Sequence, residues 1–119
     1  MSRDLTLYLE DILEAIALIR SFTDGMTFQE FSKDVRTQHA CIRDLEVIGE
    51  AVGHVPDDAR QAAPEVDWRK IHGLRNVLIH EYFGVDLEII WDVITNKLDT
   101  LEQGALRLRD RRADRGTVG

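Results

Sequence analysis

Cysteines, prolines and long apolar runs are scarce in this chain of 119 residues, which has one cysteine and two prolines. A single cysteine, Cys41, excludes an intramolecular disulfide framework and a cysteine-rich zinc cluster, and it suits a reducing compartment. No apolar run approaches the roughly 20 residues that a membrane-spanning helix needs. We therefore expect a soluble protein of the cytoplasm that has no membrane partner.

Several motifs of catalytic sites are also absent. The phosphate-binding loops G-x-x-x-x-G-K and G-x-G-x-x-G and the nucleophile elbow G-x-S-x-G do not occur, so nucleotide hydrolysis is not supported. His72 and His80, on one helix, would stand about 12 Å apart along its axis, which is too far to share one metal ion. Asn76 between them is a poor zinc ligand. We expect neither a metal nor another cofactor.

The charge of the chain is negative and unevenly distributed. The formal net charge is −7; residues 1–104 carry 10 Lys/Arg against 20 Asp/Glu, and residues 105–119 carry five arginines against two aspartates. An acidic surface disfavours sequence-independent binding of phosphates along its whole length. Any contact with RNA must therefore lie in a local cleft that has its own cations.

The content of 44% hydrophobic and 31% charged residues is that of one ordinary globular domain. Apolar residues recur at spacings of three and four, which predicts an all-α protein. We expect four amphipathic helices, at about residues 5–23, 27–52, 67–83 and 86–108. The second begins at the capping box of Thr27 and Glu30 and runs without interruption to Gly53.

Helices with short connections pack as an antiparallel four-helix bundle. The central connection, residues 54–66, contains both prolines and has room for only a short helix or turn. We assign residues 1–104 to the helical domain. Residues 105–119 are expected to form the end of the last helix and a basic, mobile tail.

The third predicted helix carries an unusual set of polar residues. His72, Asn76 and His80 share one face, and Arg75 and Tyr82 lie on a neighbouring stripe. A histidine can accept the proton of a ribose 2′-hydroxyl, and an arginine can stabilise a five-coordinate phosphorus, without a metal ion. The residue types alone leave another interpretation open, in which Arg75 pairs with Glu81 or with a carboxylate of the second helix, and His80 caps a helix end.

The local sequence resembles a known family. The segment from Arg75 to Tyr82, RNVLIHEY, matches the R-x4-H-x-Y pattern of HEPN-domain proteins. Its surroundings, DWRKIHGLRNVLIHEYFGVD at residues 67–86 followed by LEIIW at 87–91, resemble the HepT-like branch. Upstream, the segments DILEAI at 11–16, RTQ at 36–38 and LEVIGEA at 45–51 are similar as well, so the resemblance covers about residues 4–103.

The resemblance implies the toxin of a type VII-like toxin-antitoxin pair: a homodimeric, metal-independent RNA endonuclease acting on transfer or messenger RNA. Arg75 and His80 would be the catalytic pair, and Asn76 a supporting polar residue. A minimal nucleotidyltransferase antitoxin of the MntA type would neutralise the toxin by adding AMP to Tyr82. The alternative is a non-catalytic helical binding partner of a nucleotidyltransferase, in which the polar stripe serves recognition only.

Overall fold

The computed structural model describes residues 3–80 and 86–118. Its helices are α1 (Leu5–Thr23), α2 (Phe28–Lys33), α3 (Val35–Val52), α4 (Asp57–Ala62), α5 (Trp68–His80), α6 (Leu87–Asp92) and α7 (Leu98–Val118), with a π-helical segment (Val93–Lys97) that joins α6 to α7. No strand occurs in these ranges, so the prediction of an all-α protein is confirmed. The short helix α4 occupies the central connection, as expected.

The second predicted helix is divided in two at Asp34, so the prediction of one uninterrupted helix was wrong. Asp34 has non-helical backbone angles, φ −105° and ψ 86°, and its side chain accepts hydrogen bonds from the backbone N–H of Thr37 at 3.0 Å and from the Thr37 hydroxyl at 2.7 Å. Aspartate forms such local bonds in preference to helical ones, and this favours a helix start over a helix interior. The capping box of Thr27 and Glu30 is present at the start of α2.

The last helix begins after Asp86, which accepts a hydrogen bond from the N–H of Glu88, and its backbone stays helical through the π-helical segment to Val118. In the basic segment, Arg107 pairs with Glu65, and Arg112 contacts Asp4 at 2.9 Å. These ion pairs join the first part of that segment to the body of the protein. The mobility of the end of the chain stays a prediction.

The core lies between α1 and the helices around it. Helix α1 packs against α3 and α7, and α3 also packs against α5. Every helix except α4 contributes buried apolar side chains, and the largest of those that are fully buried are Phe31, Leu9, Ile12, Ile16, Ile19, Leu45, Ile48, Ile90, Leu98 and Leu101. Each stabilises the fold by about 1.5–3 kcal/mol relative to an exposed side chain. No described helix combines the length and apolar character required to cross a bilayer.

Two glycines, Gly49 in α3 and Gly53 directly after its last residue, lie where α5 approaches α3. A Cβ atom at Gly49 would lie 2.7 Å from Cβ of Arg75, and one at Gly53 would lie 2.9 Å from Nε2 of His72. At Gly49 the obstacle is the base of the Arg75 side chain, so only glycine permits this packing there. At Gly53 the obstacle is the end of the exposed His72 side chain, which can move aside. Gly49 therefore allows the polar helix α5 to pack directly against α3.

Candidate active site

The guanidinium of Arg75 is held by a carboxylate of the neighbouring helix. Nη2 of Arg75 lies 3.1 Å from Oε2 of Glu50, and both side chains are partly open to solvent. A carboxylate of the second predicted helix was one of the partners that residue types left open. The other carboxylate oxygen of Glu50, Oε1, lies 3.3 Å from Nε2 of His54. One carboxylate thus contacts an arginine and a histidine.

The ring of His54 is stacked on the ring of Tyr8, which belongs to α1. The rings of His54 and Tyr8 are parallel within 7°, with centroids 4.3 Å apart. The guanidinium of Arg3 lies 4.9 Å from the centre of the Tyr8 ring, a cation–π distance, and it also pairs with Asp11. The sequence interpretation assigned none of these residues to a site. Glu50 was not singled out there either, although it directly follows Gly49 in the family-like segment LEVIGEA.

A cavity of about 310 Å³ opens between α1, α3 and α5 beside these contacts. Its walls contain three arginines, three carboxylates, one aromatic ring and two apolar residues: Arg3, Arg43, Arg75, Asp11, Glu46, Glu50, Tyr8, Val47 and Ala51. The cavity lining is therefore formally neutral, in contrast to the acidic body of the chain. Among the residues that the structure describes, Arg43 has no carboxylate partner.

The comparisons with known proteins identify the family. The family model described as "Ribonuclease HepT-like" matches residues 12–108. The chain belongs to the HepT-like ribonuclease family. A Methanocaldococcus jannaschii protein named as a candidate RNase is 51% identical over 81% of this chain and 79% of its own length. A Thermococcus cleftensis protein named "Probable ribonuclease HepT" is 44% identical over 86% of this chain and 93% of its own. No solved structure gives a significant match.

The residues that the family model matches include Arg75, Asn76, His80 and Tyr82, and the structure describes these four unequally. Arg75 lines the cavity, and Asn76, the next residue of α5, is exposed. The backbone of His80 ends α5, five residues after Arg75; its side chain and the whole of Tyr82 lie outside the described residues. Two positions five residues apart on an ideal α-helix are separated by about 140° around its axis. Whether Arg75 and His80 meet in one site therefore stays a prediction.

Two other features of the HepT-like chain bear on its chemistry. Cys41 is fully buried in α3, and burial raises the pKa of its thiol to about 11, so it is a protonated packing residue at neutral pH. In the described ranges, no group of three or more His, Cys, Asp or Glu side chains has the geometry of a metal site. The independence of the reaction from metal ions stays a prediction.

Proposed function

We propose that this protein is a toxin-type RNA endonuclease that cleaves without a metal ion and uses Arg75 and His80 as its catalytic pair. The observation that carries the proposal is the position of Arg75: in a chain of the HepT-like ribonuclease family, this arginine lies at an open cavity and its side chain is held by α3. An oriented guanidinium at a cavity is suited to a phosphate, because its N–H groups match two phosphate oxygens at once.

The proposed reaction uses the neighbouring ribose as the nucleophile. His80 accepts the proton of the 2′-hydroxyl, the 2′-oxygen forms a bond to phosphorus, and the bond from phosphorus to the 5′-oxygen breaks. The 5′-oxygen takes up a proton from water as it leaves, and His80 afterwards returns its proton to the solvent. The products therefore end in a 2′,3′-cyclic phosphate and a 5′-hydroxyl. Arg75 stabilises the additional negative charge of the five-coordinate phosphorus.

We infer that the working enzyme is a homodimer. Positions 75 and 80 are five residues apart, which on an ideal α-helix is a rotation of about 140° around the axis. A second copy that presents the same helix can therefore supply the complementary group. A mixture of Arg75→Ala and His80→Ala proteins, denatured and refolded together, is expected to recover part of the activity that each lacks alone. No recovery, in a mixture shown to contain heterodimers, would contradict this arrangement.

We further propose that a minimal nucleotidyltransferase antitoxin neutralises the enzyme by attaching AMP to Tyr82. An adenylate two residues from His80 would place bulk and negative charge where the RNA phosphate must bind. Intact mass after co-expression with such a transferase is expected to increase by one or more AMP groups in the parent and not in Tyr82→Phe. Adenylation of Tyr82→Phe to the parent extent would refute this site.

The nuclease itself is tested by cleavage of transfer RNA and total RNA by purified protein in EDTA. Arg75→Ala is expected to lower kcat by about 100-fold or more, because it removes the group that stabilises the transition state. Arg69→Ala is the matched control, since Arg69 lies on the same helix, is exposed and contributes the same charge. Equal cleavage by the parent and by Arg75→Ala would refute the proposal.

The second candidate function is a non-catalytic binding partner of a nucleotidyltransferase. The ion pair between Arg75 and Glu50 favours it, because an arginine that is already paired can have a purely structural role. This candidate predicts a stable complex with the transferase, no cleavage of RNA, and no arrest of growth when the chain is expressed alone. Growth arrest that requires both Arg75 and His80 would exclude it.

A further inference from the structure

We propose that Glu50 is a positioning residue, which orients the guanidinium of Arg75 toward the cavity between α1, α3 and α5. The inference rests on the proposed ribonuclease function. Glu50 itself is not required to touch RNA or any reacting atom. Its contribution is to reduce the number of conformations that Arg75 adopts before the substrate arrives.

The two ends of the Arg75 side chain are held by two consecutive residues of α3. At the stem, the missing side chain of Gly49 allows Cβ of Arg75 to pack against the α3 backbone. At the head, Oε2 of Glu50 lies 3.1 Å from Nη2 of Arg75. A long side chain fixed at its base and at its tip retains little of its rotamer freedom.

The contact with Glu50 leaves most of the guanidinium available. An arginine side chain has five N–H donors. The atom of Arg75 that contacts the Glu50 carboxylate is Nη2, one of its two terminal nitrogens. Arg75 lines the cavity at the same time. The remaining donors can therefore bind a phosphate while the ion pair persists, so the two roles do not compete for the same edge of the group.

Glu50 is itself oriented from its other side. Its second oxygen lies 3.3 Å from Nε2 of His54, and the ring of His54 is stacked on Tyr8 of α1. A carboxylate with a partner on each oxygen has a defined plane, and it transmits that orientation to the arginine. The other carboxylates of the cavity are arranged differently: Asp11 pairs with Arg3, and Glu46 has no cationic partner among the described residues.

The test compares Glu50→Gln with Glu46→Gln. Both substitutions keep the size of the side chain and remove one negative charge from the same cavity, one helical turn apart on α3. Both are expected to lower KM for RNA, because less negative charge opposes the phosphate. Only Glu50→Gln loses the charged partner of Arg75, and we expect its kcat to fall about 10-fold below that of Glu46→Gln.

Two further measurements separate orientation from general damage. The thermal midpoints of both variants are expected to equal that of the parent, because the ion pair is open to solvent. The ¹⁵N–¹H signals of the Arg75 guanidinium are expected to show restricted motion in the parent and in Glu46→Gln, and free rotation in Glu50→Gln. A structural role alone would not produce a loss in kcat at an unchanged thermal midpoint.

The failures of the two proposals are distinguishable. If the parent cleaves RNA through Arg75 and Glu50→Gln has the kcat of Glu46→Gln, the positioning role is overturned and the nuclease stands. The same conclusion follows if the guanidinium moves as freely in the parent as in Glu50→Gln. If the parent shows no cleavage that depends on Arg75, the proposed function fails, and the positioning role fails with it.

Discussion

Replacement of Gly49 by alanine tests the packing that brings Arg75 to α3. The added Cβ would lie 2.7 Å from Cβ and 3.5 Å from Cα of Arg75, whereas apolar carbons are normally about 3.5–4.0 Å apart. The obstacle is the base of the arginine and not its flexible end, so α5 itself must move by roughly 1 Å. Overpacking of this kind costs about 1–3 kcal/mol.

Gly73→Ala provides the matched control. Gly73 lies within α5, and a Cβ atom there would meet nothing within 4 Å apart from its own helical turn. Glycine-to-alanine replacement inside a helix gains about 1 kcal/mol from helix propensity, and this gain applies to both variants. The difference in free energy of unfolding between Gly49→Ala and Gly73→Ala therefore isolates the steric cost, which we expect to be about 1–3 kcal/mol with Gly49→Ala the less stable.

The measurement is equilibrium unfolding in urea, followed by circular dichroism at one fixed protein concentration, because an oligomer unfolds in a concentration-dependent way. RNA cleavage by the same two proteins provides a second reading. Displacement of α5 is expected to lower cleavage by Gly49→Ala much more than cleavage by Gly73→Ala. Equal stability of the two variants would refute the close approach of α5 to α3 at Arg75.

Three further predictions concern the core and the helix starts. Phe31 is fully buried, and the centre of its ring lies 5.0 Å from that of Trp91. Phe31→Ala is therefore expected to lower the free energy of unfolding by about 3–5 kcal/mol, and Phe22→Ala, at a partly exposed position, by much less. Similar losses in the two variants would contradict the core assignment. The hydrogen bond from the backbone N–H of Thr37 lowers the pKa of Asp34, so its contribution to stability is present above the unfolded pKa of about 3.9 and is lost as the pH falls through the lower folded value. The stability difference between the parent and Asp34→Ala is therefore expected to shrink in acid-range denaturation curves, and a constant difference would exclude this cap. Cys41, with its pKa raised to about 11, is expected to resist iodoacetamide at pH 7.5 in the folded protein and to react in urea; rapid labelling of the folded protein would show that the thiol is accessible.

Helix existence and the general bundle architecture could be predicted from the spacing of apolar residues, because each helix buries one stripe. The interruption at Asp34 could not, since the flanking residues Phe31 and Val35 continue the apolar pattern across it. The deciding interaction is the hydrogen bond that the backbone N–H of Thr37 donates to the Asp34 side chain. This bond competes with the hydrogen bonding of a continuous helix. Aspartate is a strong helix-start residue, but the apolar pattern alone gave no reason to place a helix start at this position.

The candidate site was predicted in part. The resemblance selected Arg75, and the structure describes it at a cavity. The contact with Glu50 depends on the crossing of α3 and α5, which no spacing within one helix reveals, and that crossing depends on Gly49. Two glycines four residues apart, Gly49 in α3 and Gly53 directly after it, were a usable signal for a close helix contact, although they do not identify the helix that packs there.

In the proposed mechanism, His80 and Arg75 cleave RNA through the 2′-hydroxyl without a metal ion. The most direct measurement is the chemistry of the RNA ends produced in EDTA by the parent and by His80→Ala, each purified from cells that lack a nucleotidyltransferase partner. We expect discrete fragments with 2′,3′-cyclic phosphate and 5′-hydroxyl ends from the parent and a loss of these fragments in His80→Ala. Fragments of the same kind and amount from both proteins, or cleavage by the parent only after a divalent metal is added, would contradict it.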